Sequence, residues 1–205
     1  MAHAGGARLA LTVLAVVTAT ACATVGSNFN HAVIPTLDFG SMTSGEYRAV
    51  FGEPSGRVYK ETNADGTFER VRYRFSERSM PGGGSRMLYL DFRDGRLNAW
   101  MYGSNFPEDR TVVDFSLAPE IRKGVDGKQD VQALLGKPTG KARCPSSLVD
   151  YKERCKGNSE AWTWILYSAP ETAQRNLFSI SILYVVFDTH GMVAQVETTN
   201  ETTQP

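Results

Sequence analysis

Phe51-Gly52-Glu53-Pro54-Ser55-Gly56 returns 84 positions later as Leu135-Gly136-Lys137-Pro138-Thr139-Gly140. In each copy an apolar residue ends a helical stripe. Glycine then supplies the left-handed backbone that closes a helix, and the proline two residues on forbids its continuation. A second echo follows each copy: Leu88-Tyr89-Leu90-Asp91-Phe92-Arg93-Asp94-Gly95-Arg96-Leu97, and Leu183-Tyr184-Val185-Val186-Phe187-Asp188-Thr189-His190-Gly191-Met192-Val193. Apolar alternation running into a glycine turn is the signature of paired strands. Such self-similarity means one structural unit written twice, here of about 80 residues, the size of a small domain.

Working outward, Thr43-Ser44-Gly45-Glu46 is a capping-box pattern ahead of Tyr47, Val50 and Phe51, and predicts a short helix stopping at Gly52. In the second copy Asp126-Gly127 offers the start, Val131, Leu134 and Leu135 the stripe, and Gly136 with Pro138 the stop. Such short helices need a surface to lean on. Strands are expected over 57–62, 70–75, 88–92 and 97–102, and again over 161–167, 178–187 and 192–198, with turns at Asn63-Gly66, Pro81-Gly84 and Asp94-Gly95. The fold class is therefore α+β: two tandem units, each a short helical segment packed on an antiparallel β-meander. The expected boundaries are a signal at 1–21, a tether at 22–36, a first unit at 37–103, a linker at 104–120, a second unit at 121–199 and a frayed tail at 200–205.

The N-terminus supplies an address. Arg8 precedes an apolar run from Leu9 to Val17, then Ala19-Thr20-Ala21 and Cys22. A short apolar stretch with a small-residue exit is a secretory signal, too short to span a bilayer. A cysteine directly after it resembles the lipobox of bacterial lipoproteins. That resemblance implies acylation of Cys22 and, with Ala23 next rather than aspartate, residence at the outer membrane facing the periplasm. The alternative is an ordinary signal cleaved near Ala21 or Ala23, giving a soluble periplasmic or secreted protein.

Removing residues 1–21 leaves 184, enough for two small cores or one extended one. Lys+Arg and Asp+Glu each number 22, so no net field draws the chain to nucleic acid. With Cys22 committed to lipid, Cys144 and Cys155 remain, and in an oxidising compartment they are expected to form a disulfide. A zinc site is the alternative, but it needs about four ligands, and His31 and His190 lie far away in sequence. No metal or cofactor is expected.

The pattern Gly-x-x-Thr-x-x-Glu, then Phe/Leu-Gly-x-Pro, then strands and Phe-x-Asp-Gly-x-Leu/Val, resembles the BamE (SmpA/OmlA) family of outer-membrane assembly lipoproteins. The same topology occurs twice in β-lactamase inhibitor proteins, and the Cys144–Cys155 loop after Gly-x-Pro is similar to that branch. The resemblance covers roughly 37–103 and 121–199. It implies a lipid-anchored scaffold or assembly accessory that binds an envelope protein. The other implied role is a proteinaceous inhibitor that binds its target through the concave surface of two tandem sheets.

Arg70, Arg72 and Arg74 fall on one face of a strand, where guanidinium groups can grip carboxylate or phosphate bidentately. Arg86, Arg93 and Arg96 lie nearby in sequence. The stripe reads either as a binding face or as a solvated face with Asp91 and Glu69 as counter-ions. Trp162, Trp164 and Leu166, like Trp100 and Tyr102, read either as core or as a partner-binding aromatic patch. No nucleophile elbow, phosphate-cradling loop or acid/base pair is present in the sequence pattern, so no catalytic residue and no small-molecule substrate is expected.

Overall fold

The computed structural model describes residues 24–77, 83–146, 148, 154–155, 158–168 and 178–203. The expected signal segment, Cys22 and part of the Pro81–Gly84 turn lie outside the described residues. Nine strands are described: β1 (Thr24–Val25), β2 (Tyr59–Asn63), β3 (Gly66–Glu77), β4 (Gly84–Arg93), β5 (Arg96–Ser104), β6 (Gly140–Arg143), β7 (Asn158–Ser168), β8 (Phe178–Asp188) and β9 (Val193–Thr203). Two α-helices accompany them, α1 (Tyr47–Phe51) and α2 (Lys128–Leu135), each preceded by a 3-10 helix, His31–Thr36 and Phe115–Glu120. All strand pairings are antiparallel, and they make one sheet in the order β1-β3-β4-β5-β6-β7-β8-β9, with β2 also on β3.

This corrects the expectation of two tandem sheets: the halves share one. The join is β6, a four-residue strand paired to β5 on one side and β7 on the other. Sequence reading missed it because Gly-Lys-Ala-Arg has no apolar alternation. Gly140 permits the approach. A Cβ there would lie 2.3 Å from Thr163 Oγ1 and 2.7 Å from the Trp100 carbonyl oxygen.

The quoted phrase does the same work in both halves. Gly52 and Gly136 end their helices at φ 82° and 78°, a conformation that only glycine adopts cheaply. The next hydroxyl stitches a strand. Ser55 donates its N–H to Arg72 O and accepts from the Arg74 N–H. Thr139 likewise donates to Thr163 O and accepts from the Ile165 N–H. Isolated bridges tie Thr43 to Arg96 and Gly127 to Met192. A register shift interrupts β4–β5 at Asp91/Phe92 and β8–β9 at Val186/Phe187.

Two cores lie on one face of the sheet. Tyr47 and Phe51 of α1 pack on Val71, Tyr73, Leu88, Leu90 and Phe92. Val131 of α2 packs with Trp162, Trp164, Leu183, Val185 and Phe187. Tyr47–Phe92 and Trp162–Phe187 ring centroids are 5.6 and 5.1 Å apart. Such aromatic pairs add about 0.5–1.5 kcal/mol each beyond area burial. A third cluster, on the opposite face, unites Met87 of β4 with Ile165, Tyr167, Ile180, Ile182 and Tyr184 of β7 and β8.

Three further expectations change. The segment read as a tether pairs through β1 and buries Phe29 and Ile34 in the first core. The segment read as a linker contributes Phe106 to the first core, stacked on Phe75, and Val113 to the second. Isolated apolar residues without a period gave no sequence signal for either. The tail expected to fray from residue 200 continues β9 in register to Thr203, opposite Phe178. An outermost strand keeps one polar edge, so its composition imitates a loop.

Candidate functional site

The Arg stripe is placed as its alternation demands. Arg70 and Arg72 are exposed on β3 and Arg74 is half-buried. They stand on the face opposite the helices. Arg72 is directly across from Tyr89 of β4, which is across from Met101 of β5, and both are half-buried. Tyr59, 65% exposed, faces Arg70 from β2. Of the two counter-ions expected from sequence, Asp91 stands directly across from Arg70 and Glu69 is turned to the other face. Glu69 lies on the helix face, 2.8 Å from Lys60. Asp91 is fully buried across from Arg70 and accepts from the Ser146 hydroxyl at 3.0 Å.

The Cys144–Cys155 disulfide is present. On the same sheet face, over the seam between the halves, Leu148 and Cys155 pack on Ala99, Ala142, Ala161 and Val186. Arg154 lies 4.4 Å from the Tyr184 ring centroid and grips Glu197 with two hydrogen bonds of 3.0 and 2.6 Å. That grip holds the Glu197 carboxyl below the usual range.

The tryptophans are core: Trp100, Trp162 and Trp164 are 5%, 6% and 1% exposed. They do not make an exposed aromatic patch.

Sequence reading missed a polar cluster around Arg86. This arginine is 1% exposed and lies on the helix face, away from the Arg stripe it was grouped with. It donates to Asn28 Oδ1 (3.0 Å), His31 Nδ1 (2.6 Å) and Glu108 Oε1 (2.8 Å). Its guanidinium carbon stands 4.3 Å from the Phe106 ring centroid. Arg86 also donates from Nη2 to Asp109 Oδ1 (3.5 Å), and Asp109 Oδ2 is 3.3 Å from Arg86 Nε, out of line for a second hydrogen bond. Asp109 also accepts from the Ser104 hydroxyl (2.6 Å) and from the Tyr102 phenol. Burial raises the Tyr102 phenol well above its ordinary value, and Asp109 adds to the rise. Arginine is always a donor, so His31 Nδ1 is the acceptor of that contact, and its Nε2 lies 3.7 Å from Asp109 Oδ2. The signal for Arg86 was available: 86, 88, 90 and 92 share one parity, and three of those residues are core.

Beside this cluster, on the helix side between the halves, runs a groove of about 730 Å³. Trp100, Tyr102 and Lys141 line it together with residues of the first 3-10 helix. Among the described residues no group of three or more His, Cys, Asp or Glu side chains has the arrangement of a metal site. His190 stands exposed in its turn, 4.0 Å from Asp188. No described helix is long and apolar enough to cross a membrane.

No family model and no curated protein matches the chain. Among solved structures it is similar to the crystal structure of a protein from Streptococcus mutans, provisionally assigned as a beta-lactamase inhibitor protein. The two are 12% identical, with a TM-score of 0.44, over 82% of this chain and 93% of the other.

Proposed function

We propose that this chain is an exported, non-catalytic protein-binding module that docks an acidic partner on the sheet face opposite its helices. The observation that carries the reading is the row Arg72–Tyr89–Met101 across β3, β4 and β5, with Arg70 and Tyr59 beside it. Arginine, tyrosine and methionine are the residue types that interfaces concentrate. Here they stand on paired strands, so little order is lost when a partner arrives. The architecture is read as two tandem units fused through β6. The matched helix stops, hydroxyl stitches, bridges and register shifts support that reading. Acylation of Cys22 would hold the module at the outer membrane as an assembly accessory, and the lipobox-like Ala19–Cys22 supports that role.

The test is a double charge reversal, Arg70→Glu with Arg72→Glu, in the full chain. Envelope proteins captured by the wild type are compared with those captured by the variant, and each candidate's affinity is measured. Loss of at least ten-fold in affinity for a captured partner supports the face. Unchanged affinity for every partner removes it. Inhibition of a β-lactamase by the soluble chain, sensitive to the same reversal, assigns the inhibitor role instead. Absence of palmitate incorporation at Cys22 rules out the anchor.

A further inference from the structure

The N-terminal segment is fixed to the fold from Thr24 onward. Thr24 and Val25 pair with Glu77 and Ser76 at the end of β3. Gly26, at φ 76°, lets the chain pass close to β3: a Cβ there would lie 2.0 Å from the Arg74 carbonyl oxygen. Asn28 and His31 accept from the buried Arg86, and Phe29 is buried in the first core. Cys22 stands two positions before β1. Two residues span at most about 7 Å, so whatever holds Cys22 holds this end of the sheet at close range. The tether expected from sequence would instead leave the fold free to turn.

Antiparallel pairing fixes what shares that end. Glu77 of β3 is opposite Gly84 of β4, and Arg86 of β4 is opposite Ser104 of β5. Carried through β6, the C-terminal ends of β5 and β7 lie at the same end. The turns at Asn63–Gly66, Asp94–Gly95 and Asp188–Gly191 lie at the opposite one. The two ends differ in charge. Among the described terminal pairs of β1, β3, β4 and β5 beside Cys22, Glu77 is the one charged residue, and most of the others are glycine, serine or threonine. Val25 is 54% exposed there. Glu108 and Asp109, just past β5, are paired with Arg86. At the other end β4 and β5 meet at Arg93, Asp94 and Arg96, with Asp65 and Asp188 in the neighbouring turns. A bilayer surface accepts hydroxyls and apolar groups and penalises charges that must shed water.

We propose that the sheet stands on end on a bilayer, with the β1 end against the lipid headgroups and the three turns away from it. This rests on the acylation of Cys22 in the proposed function and adds what that anchor does to the rest of the molecule. Counted along β3 at about 3.4 Å per residue, Arg72 stands roughly 17 Å and Arg70 roughly 24 Å from Glu77. Those heights exceed the Debye length of about 8 Å, so the arginines meet a protein partner rather than the lipid.

The experiment uses the full exported protein in vesicles of phosphatidylethanolamine and phosphatidylglycerol, with an acceptor dye on the headgroups. A donor dye is attached at one introduced cysteine: Pro107→Cys just past β5, or Ala64→Cys or His190→Cys in the opposite turns, all exposed positions. With the two ends about 37 Å apart, energy transfer from Pro107→Cys is expected to be roughly three-fold or more stronger than from either turn. Equal transfer from all three, or stronger transfer from a turn, overturns the orientation. A flexible Gly-Ser insert of about ten residues after Ala23 keeps the protein on the vesicles and brings the ratio toward one. An unchanged ratio overturns the role of the short link. The mass of the N-terminal peptide reads acylation separately. Its absence removes the anchor and this inference with it, whereas acylation with equal transfer removes the orientation alone. Arg70→Glu with Arg72→Glu leaves the ratio unchanged, so failure of the docking face is visible apart from both.

Discussion

The two halves use the same helix-and-strand plan but treat the far side of the sheet in opposite ways. In the second half the chain covers its own surface. Leu148 and Cys155 pack on Ala142, Ala161 and Val186, and Arg154 clamps over Tyr184. In the first half the β3 margin of that surface is exposed at Arg70 and Arg72, with Tyr59 beside them, while Met87, Asp91 and Ala99 toward the seam are buried. The interior differs too. The echo aligns Leu88 with Leu183, and so Arg86 with Ser181. One is a buried cation holding three segments together, and the other is a half-buried hydroxyl. A duplicated scaffold thus keeps its backbone devices and lets side chains diverge where the two copies meet different neighbours.

The largest expected break in that comparison comes from Arg86→Met. It leaves Asp109 buried without its cation and costs about 3–5 kcal/mol, read as a lower denaturant midpoint. Ser181→Ala changes stability by less than about 0.5 kcal/mol. Equal effects would dissolve the distinction between the two interiors. Reduction of Cys144–Cys155 comes next. The cysteines are 11 positions apart, and releasing a loop of that size costs about 3 kcal/mol on the entropy model. Hydrogen exchange should quicken first in β7 and β8 rather than in β3 and β4.

Gly140→Ala tests the seam. The added methyl meets the Trp100 carbonyl at 2.7 Å, and such overpacking costs about 1–3 kcal/mol. At its counterpart, Gly56, the methyl meets only the flexible tip of Arg72, at 3.3 Å. Gly56→Ala is expected within about 0.5 kcal/mol of wild type. The smallest effect is acid sensitivity. Thr43 lowers the Glu46 carboxyl through its backbone N–H and hydroxyl, and Arg122 lowers Asp126 through its guanidinium and backbone N–H. Groups that bind protons less readily when folded stabilise the fold above their unfolded values. That stability is lost as pH falls through the lower folded ones. Melting temperature should therefore hold from pH 7 down to about 4 and fall below it. Asp126→Asn should flatten the acid limb more than Glu46→Gln, because Asp126 takes charged as well as neutral donors.

How much was legible follows from what each element asks of its residues. The helix stops, the Asp94-Gly95 turn (φ 50° and 78°) and the disulfide announce themselves, because a special backbone or a covalent bond demands particular residue types. The Ser55 and Thr139 stitches sat inside the quoted phrase, and their shared hydroxyl was the clue. The packing of Phe29, Ile34 and Phe106 was invisible, since single anchors on irregular backbone carry no period. The Arg stripe was legible by alternation. The groove was not, because it is assembled from Ile34, Trp100, Pro138 and Lys141, which are distant in sequence.

Strand β6 has a further meaning when set beside its counterpart β2. The first half docks its last strand, β5, on β6, whereas among the described residues β2 pairs only with β3, and all five of its residues are exposed. The chain thus carries at its start a free copy of the joint that fuses it in the middle. Head-to-tail addition of one molecule to the next at such an edge is heterologous, the kind of contact that builds rings or filaments. Lys60 and Glu61, charged and in a strand too short to offer much edge, are the guard against that growth.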